Sequence, residues 1–156
     1  LDTLKKKINK KTKLIFMESP ASLTFEVEDV SEIIKIAKKK KIITMLDNSW
    51  ATPFYFSPIN IGIDISILAA TKYISGHADT MLGLITVKNE KLFVKIKDTA
   101  VNLGDSPGPQ ECYLSLRGLR TLSTRLEQHR SNALKIARLL ESNDKVSKVY
   151  LVLRGI

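Results

Sequence analysis

Ile42-Ile43-Thr44-Met45-Leu46 is a continuous, partly β-branched apolar run that leads without a break into Asp47-Asn48-Ser49-Trp50. Further on, Asp64-Ile65-Ser66-Ile67-Leu68-Ala69-Ala70 repeats the arrangement and leads into Thr71-Lys72. Runs of this length and composition read as strands. Their apolar residues are consecutive rather than alternating, so both faces of each strand are expected to be covered, as in a mainly parallel sheet clad in helices. Ligands of open α/β sheets bind beyond the carboxyl ends of the strands. Asp47 and Lys72 are both expected there, and they are the first candidate functional residues.

Outward from this pair, Leu14-Ile15-Phe16-Met17 reads as another buried strand, stopped by Glu18-Ser19-Pro20. A helix follows: Asp29 can cap it, Glu32 stands at the capping-box position, and Ile33, Ile34 and Ala37 form an apolar stripe. Leu84-Ile85-Thr86-Val87 is a further strand. The order is strand, helix, strand, loop, strand, loop, strand. From Pro109 the pattern turns helical through Leu114, Leu116, Leu119, Leu122 and Leu126, then Ala133, Ile136, Ala137, Leu139 and Leu140, with Gly118 marking a break or bend. A last short strand is expected from Val146 to Leu151. The tail reads as the start of a second domain, which divides the chain into residues 1–118 and 119–156.

At 156 residues the chain has the size of one ordinary domain, able to bury about 68–70% of the surface of its extended form. A hydrophobic content of 44% with 26% charged residues excludes a disordered or fibrous chain. The absence of a membrane-length apolar run and of a signal-peptide pattern at Leu1-Asp2-Thr3-Leu4-Lys5 makes a cytoplasmic protein without membrane association the default expectation. Cys112 is the single cysteine; it has no disulfide partner and no companion at zinc-ligand spacing. The formal charge of +9 would suit a nucleic-acid binder, but Lys38-Lys39-Lys40-Lys41 closes a helix, where cations complement the macrodipole, and no aromatic residues interleave with the lysine runs. A solvated face, not a nucleic-acid partner, is the reading.

Carbonyl chemistry through an imine needs an amine whose charged form can be destabilised, and a lysine following buried aliphatics meets that need. A pyridine cofactor needs a carboxylate at its ring nitrogen, for which Asp47 is the candidate. Five segments then become specific in spelling and order: Met17-Glu18-Ser19-Pro20, Leu46-Asp47-Asn48-Ser49-Trp50-Ala51-Thr52-Pro53, Gly62-Ile63-Asp64-Ile65-Ser66, Ala70-Thr71-Lys72-Tyr73-Ile74-Ser75-Gly76-His77, and Leu116-Arg117-Gly118-Leu119-Arg120-Thr121-Leu122. Together they resemble the Cys/Met-metabolism enzymes that depend on pyridoxal 5'-phosphate, the cystathionine lyase and synthase family.

The resemblance implies the central part of a fold-type I (aspartate-aminotransferase-like) large domain, followed by the start of the C-terminal small domain. It implies pyridoxal 5'-phosphate as cofactor, with Lys72 as the Schiff-base lysine and later proton carrier, Asp47 holding the pyridinium, and Thr71 binding the phosphate through its hydroxyl. Glu18-Ser19-Pro20-Ala21-Ser22 followed by Leu23-Thr24 is closer to the cystathionine β-lyases, as is Ala69 where many relatives carry serine. The implied reaction is α,β-elimination of an amino-acid thioether, cystathionine giving homocysteine, pyruvate and ammonia, in methionine biosynthesis. A γ-synthase or γ-lyase type is the alternative within the family.

In the same comparison, His77 and Asp79 read as structural, Arg117 and Arg120 as interdomain or subunit contacts, and His129 as lying on a distant helix, so no metal site is expected. Family members are much longer than this chain and resemble tetramers built from dimers, so a homodimer or homotetramer is implied, with further cofactor ligands outside residues 1–156. The ending Leu151-Val152-Leu153-Arg154-Gly155-Ile156 departs from the tyrosine-proline continuation usual after this strand. A truncated, non-catalytic remnant is thus one competing reading, and a basic binding module the other.

Overall fold

The computed structural model describes residues 1–152. In chain order these form α1 (Asp2–Lys7), β1 (Leu14–Glu18), α2 (Val30–Lys40), β2 (Ile43–Asp47), two single-turn helices α3 (Thr52–Tyr55) and α4 (Pro58–Ile61), β3 (Ile65–Ala69), β4 (Gly83–Val87), α5 (Glu90–Leu103), α6 (Pro109–Leu119) and α7 (Leu122–Glu141). The four strands make one sheet in the order β1-β2-β3-β4. As the consecutive apolar runs predict, β1, β2 and β3 are parallel; β4 returns antiparallel beside β3. The register sets Glu18 opposite Asp47 and Asp47 opposite Ile67, which brings the carboxyl ends of β1 and β2 level, with β3 running on to Ala69.

Asp29 caps α2 by accepting the Glu32 N–H at 3.0 Å. Glu32 does not complete the reciprocal box; its carboxylate pairs with Lys35. The apolar stripe Val30, Ile33, Ile34 and Ala37 packs on Ile15, Met17 and Leu46, with Ile42, Phe56 and Ile63 closing the cluster. Fully burying an aliphatic side chain contributes about 1.5–3 kcal/mol, so this cluster is the main support of the β1–β2 half.

Coverage of both faces is not what the structure shows. The face opposite α2 is formed by Leu14, Phe16, Ile43, Met45, Ile65, Ile67, Ile85 and Val87, of which Ile65 at its centre is buried. Of these, Leu14 is 41%, Phe16 58%, Ile43 37% and Ile85 57% exposed. The strands are composed for burial on two sides, but the described elements cover mainly one.

Three further expectations change. Helix α5 carries no sequence assignment above, although Asn89 caps it by accepting the Leu92 N–H at 2.9 Å and Gly104 closes it in a left-handed conformation. The break in the C-terminal helical stretch falls at Arg120-Thr121, not at Gly118, which lies inside α6. Gly118 is required for another reason: a Cβ there would stand 2.1 Å from the Ser75 carbonyl oxygen and 2.4 Å from that of Ile74. Finally, Val146–Leu151 forms no strand. A strand needs a partner ladder, and this segment pairs with neither sheet edge; Leu153, Arg154, Gly155 and Ile156 lie outside the described residues.

Candidate active site

Strand β2 ends at Asp47 because the chain turns there: Asp47 Oδ1 accepts the Ser49 N–H at 2.8 Å, an Asx turn. Ser49 then reaches across to β3, its Oγ accepting the Ala69 N–H at 2.8 Å, while the Asn48 N–H bonds to the Ile67 carbonyl at 2.8 Å. The buried Asn48 side chain donates to the Phe56 carbonyl at 2.9 Å. Asp47 is therefore fixed at the strand end through one oxygen, while Oδ2 makes no bond among the described residues.

Strand β3 ends at Ala69, and the next residues wind into a tight turn. The Lys72 N–H bonds to the Ala69 carbonyl at 3.1 Å, Ser75 N–H to Ala70 at 2.9 Å, and Gly76 N–H to Lys72 at 2.8 Å. Ser75, fully buried, also donates its hydroxyl to the Thr71 carbonyl at 2.7 Å. Thr71 closes the loop that returns to β4, since its Oγ1 accepts the Leu82 N–H at 2.9 Å and lies 3.3 Å from the Leu82 carbonyl. That second contact is long, so the hydroxyl proton can turn to an anionic oxygen without disturbing the first.

Thr71 and Lys72 open into a cavity of about 520 Å³, within the ordinary range for small-molecule sites. Its wall also includes Ser49, Trp50, Tyr73, Arg125 and His129. Asp47 is not on that wall; it stands two residues before Ser49 on the neighbouring strand end. The structure thus brings Thr71 and Lys72 into one cavity and sets Asp47 at its margin.

Arg125 and His129 lie one helical turn apart on α7 and were not candidates from sequence. His129, expected to be remote, has its ring centroid 5.9 Å from that of Tyr73, edge to face. A contact between residues so far apart in the chain leaves no local signal. His77 and Asp79 are tied structurally: His77 Nδ1 lies 2.6 Å from the Ser75 carbonyl oxygen, and Asp79 receives the Arg117 guanidinium at 2.8 Å. Arg117 is accordingly engaged within the chain.

A second carboxylate borders the site. Glu18, opposite Asp47 in the sheet, accepts the Ser22 hydroxyl at 2.5 Å and the Ser22 N–H at 3.1 Å. These two bonds, the hydroxyl first, hold its carboxyl below the usual carboxylate range, and the positive charge of Lys72 adds a smaller contribution in the same direction. The loop fixed in this way carries Phe25, whose ring meets Trp50 edge-on at 5.3 Å.

The donor set suits a phosphorylated aldehyde on a nitrogen heterocycle. It offers a primary amine, hydroxyls at Thr71 and Ser49, a guanidinium, and a carboxylate at the adjacent strand end. Residues 1–154 match the Cys/Met metabolism PLP-dependent enzyme family. The chain belongs to this family.

Its cofactor is pyridoxal phosphate, and the residues of the cavity fit it. The chain is 42% identical over 150 residues to a cystathionine beta-lyase of Lactococcus lactis subsp. cremoris, covering 96% of this chain and 40% of the relative. It is also 42% identical over 142 residues to an L-alanine/L-glutamate racemase of Wolbachia pipientis wMel, covering 91% of this chain and 35% of that one. Among solved structures, cystathionine gamma-lyase from Lactobacillus plantarum complexed with L-serine superposes with a TM-score of 0.92 at 33% identity, covering 94% of this chain and 39% of that one. The fold is therefore the α/β, fold-type I arrangement of these enzymes. The chain spans well under half the length of the relatives it matches.

Proposed function

We propose that the chain carries the lysine-bearing part of a carbon-sulfur lyase acting by α,β-elimination on amino-acid thioethers, with cystathionine as substrate and homocysteine, pyruvate and ammonia as products. The supporting observation is the placement of Lys72 and Thr71 in one cavity at the end of β3, beside Asp47 at the end of β2. In this reading Lys72 holds the cofactor aldehyde covalently, Asp47 holds its ring nitrogen and Thr71 its phosphate. When bound, pyridoxal phosphate supplies an electron sink for the bond broken at the substrate Cα. Lys72, which lines the same cavity, would be the residue to hold and move the Cα proton.

The β-lyase choice rests on the Lactococcus relative and on the Glu18–Thr24 loop spelling. The setting that goes with it is a cytoplasmic homodimer or homotetramer in methionine biosynthesis. Residues 119–156 are read as the start of the second domain, although Leu122 and Leu126 share a core with Leu68.

A racemase is the second reading, favoured by the Wolbachia relative. Both reactions begin by removing the Cα proton; they part on whether a Cβ substituent leaves or the proton returns on the opposite face. Incubation of the purified chain and cofactor with L-cystathionine, L-alanine and L-glutamate separates them. Pyruvate from cystathionine, absent with Lys72→Ala, supports the lyase; D-alanine or D-glutamate without pyruvate replaces it with the racemase. Neither product would leave the chain a non-catalytic part of such an enzyme.

A further inference from the structure

Beside the apolar contacts of Leu122 and Leu126 and the His129 ring, one side chain of α7, Arg125, hydrogen-bonds to the turn that carries Lys72. Arg125 Nη2 donates to the Gly118 carbonyl at 2.8 Å and to the Ile74 carbonyl at 3.3 Å, while Nε donates to Thr121 Oγ1 at 3.1 Å. One guanidinium therefore joins three pieces of chain: the Lys72 turn, the end of α6 and the first residues of α7. Two glycines are shaped to the same group. Gly76, at φ +73°, would place a Cβ 2.3 Å from Arg125 Nη1, and Gly118 lets α6 lie directly on the carbonyls of Ile74 and Ser75.

The partners of Arg125 are carbonyl and hydroxyl oxygens, and no carboxylate among the described residues pairs with it. The Gly118 carbonyl belongs to the last turn of α6, where a cation meets the negative end of the helix dipole. Arg125 also lines the cavity with Lys72. A lysine could keep the charge but not the planar fork that reaches three acceptors at once.

From this we infer that Arg125 is a positioning residue for Lys72: it fixes the Ala70–Gly76 turn, and through it the direction from which the Lys72 amine enters the cavity. The inference deepens the proposed function, because it concerns the same lysine.

Two readouts on the purified chain test it, one independent of the cofactor. In Arg125→Ala, amide hydrogen exchange across residues 71–76 speeds up about tenfold, as expected when hydrogen bonds holding a turn are lost, while the amides of β2 and β3 keep their rates. In the second, the chain is treated with pyridoxal 5'-phosphate and borohydride, and labelled lysines are located by peptide mass. The share of label on Lys72 relative to the exposed Lys5 falls about tenfold in Arg125→Ala, a displaced reactive group being far less effective than an oriented one. Guanidinium ion at a non-denaturing concentration restores it. Arg125→Lys keeps the stem and the charge and shows the same losses, and it serves if the alanine variant does not fold.

Unchanged exchange in residues 71–76 and an unchanged Lys72 to Lys5 ratio in a folded variant would overturn the proposal. If Lys72 of the wild type takes no more label than Lys5, the proposed function is what fails, and the exchange result still decides whether Arg125 holds the turn.

Discussion

Around α2, Val30, Ile33, Ile34 and Ala37 meet Ile15, Met17 and Leu46 in a cluster made of side-chain carbon. Around the first turns of α7, Leu122 and Leu126 meet Leu68, Ala70 and Ile74, but the second cluster is smaller and is reinforced by polar ties to backbone carbonyls through Arg125, Ser75 and the glycine contact at Gly118. The first region supports the sheet, and the second holds the turn that carries Lys72, which in the proposed reading aims that lysine. A packed apolar face tolerates small shifts of the whole element; directional hydrogen bonds to named carbonyls do not. The difference is that the turn carrying Lys72 sits where hydrogen-bonded contacts converge.

The comparison can be broken first at the α2 side. Leu46 is fully buried, and Leu46→Ala lowers stability by about 2–5 kcal/mol, read as a fall in the denaturation midpoint. Labelling of Lys72 in the fraction that stays folded is unchanged.

Gly118→Ala acts on the other side. The added methyl meets the Ser75 and Ile74 carbonyls, and overpacking at such a contact costs about 1–3 kcal/mol. In contrast to Leu46→Ala, the folded protein has a displaced Lys72 turn, seen as faster amide exchange at residues 71–76.

A smaller effect is expected at Glu18. Its carboxyl titrates lower in the folded chain than in the unfolded one, so its stabilising contribution is fully present above the unfolded value and is lost as pH falls through the folded one. Glu18→Gln thus lowers stability slightly near neutrality, where the contribution is present, and the difference from wild type closes as pH falls, which leaves the variant with a shallower acid limb, measured by urea denaturation across pH. A steeper acid limb in the variant would contradict this sign. Smallest of all, Phe16→Thr lies on the open face at 58% exposure, and in this chain it shifts stability by no more than about 0.5 kcal/mol.

The α2 side was legible because its signals are local. Consecutive aliphatics marked β1, β2 and β3, and Asp29 marked the start of α2. Asp47 and Lys72 were legible as residues at strand ends, and the spelling around them carried the family. The expected cover on both faces failed because composition records what a strand is built to meet, whereas the described elements cover mainly one side. Arg125 was illegible because its contact with Ile74 spans 51 positions; nothing near Arg125 on α7 distinguishes it from the exposed Arg130 or Arg138. Gly118 was visible as a glycine, but its sequence context pointed to a bend, and only the three-dimensional neighbour, the Ser75 carbonyl, shows that it permits close approach.

The central claim is that Lys72 captures pyridoxal 5'-phosphate in a site built by the ends of β2 and β3. The most direct measurement is the absorbance spectrum of the purified chain with added pyridoxal 5'-phosphate, before and after borohydride reduction, for wild type and Lys72→Ala. A visible band that borohydride abolishes in wild type, and that never forms in the variant, is the predicted result. The same band in both proteins, or in neither, would contradict the assignment of Lys72 as the cofactor lysine of this chain.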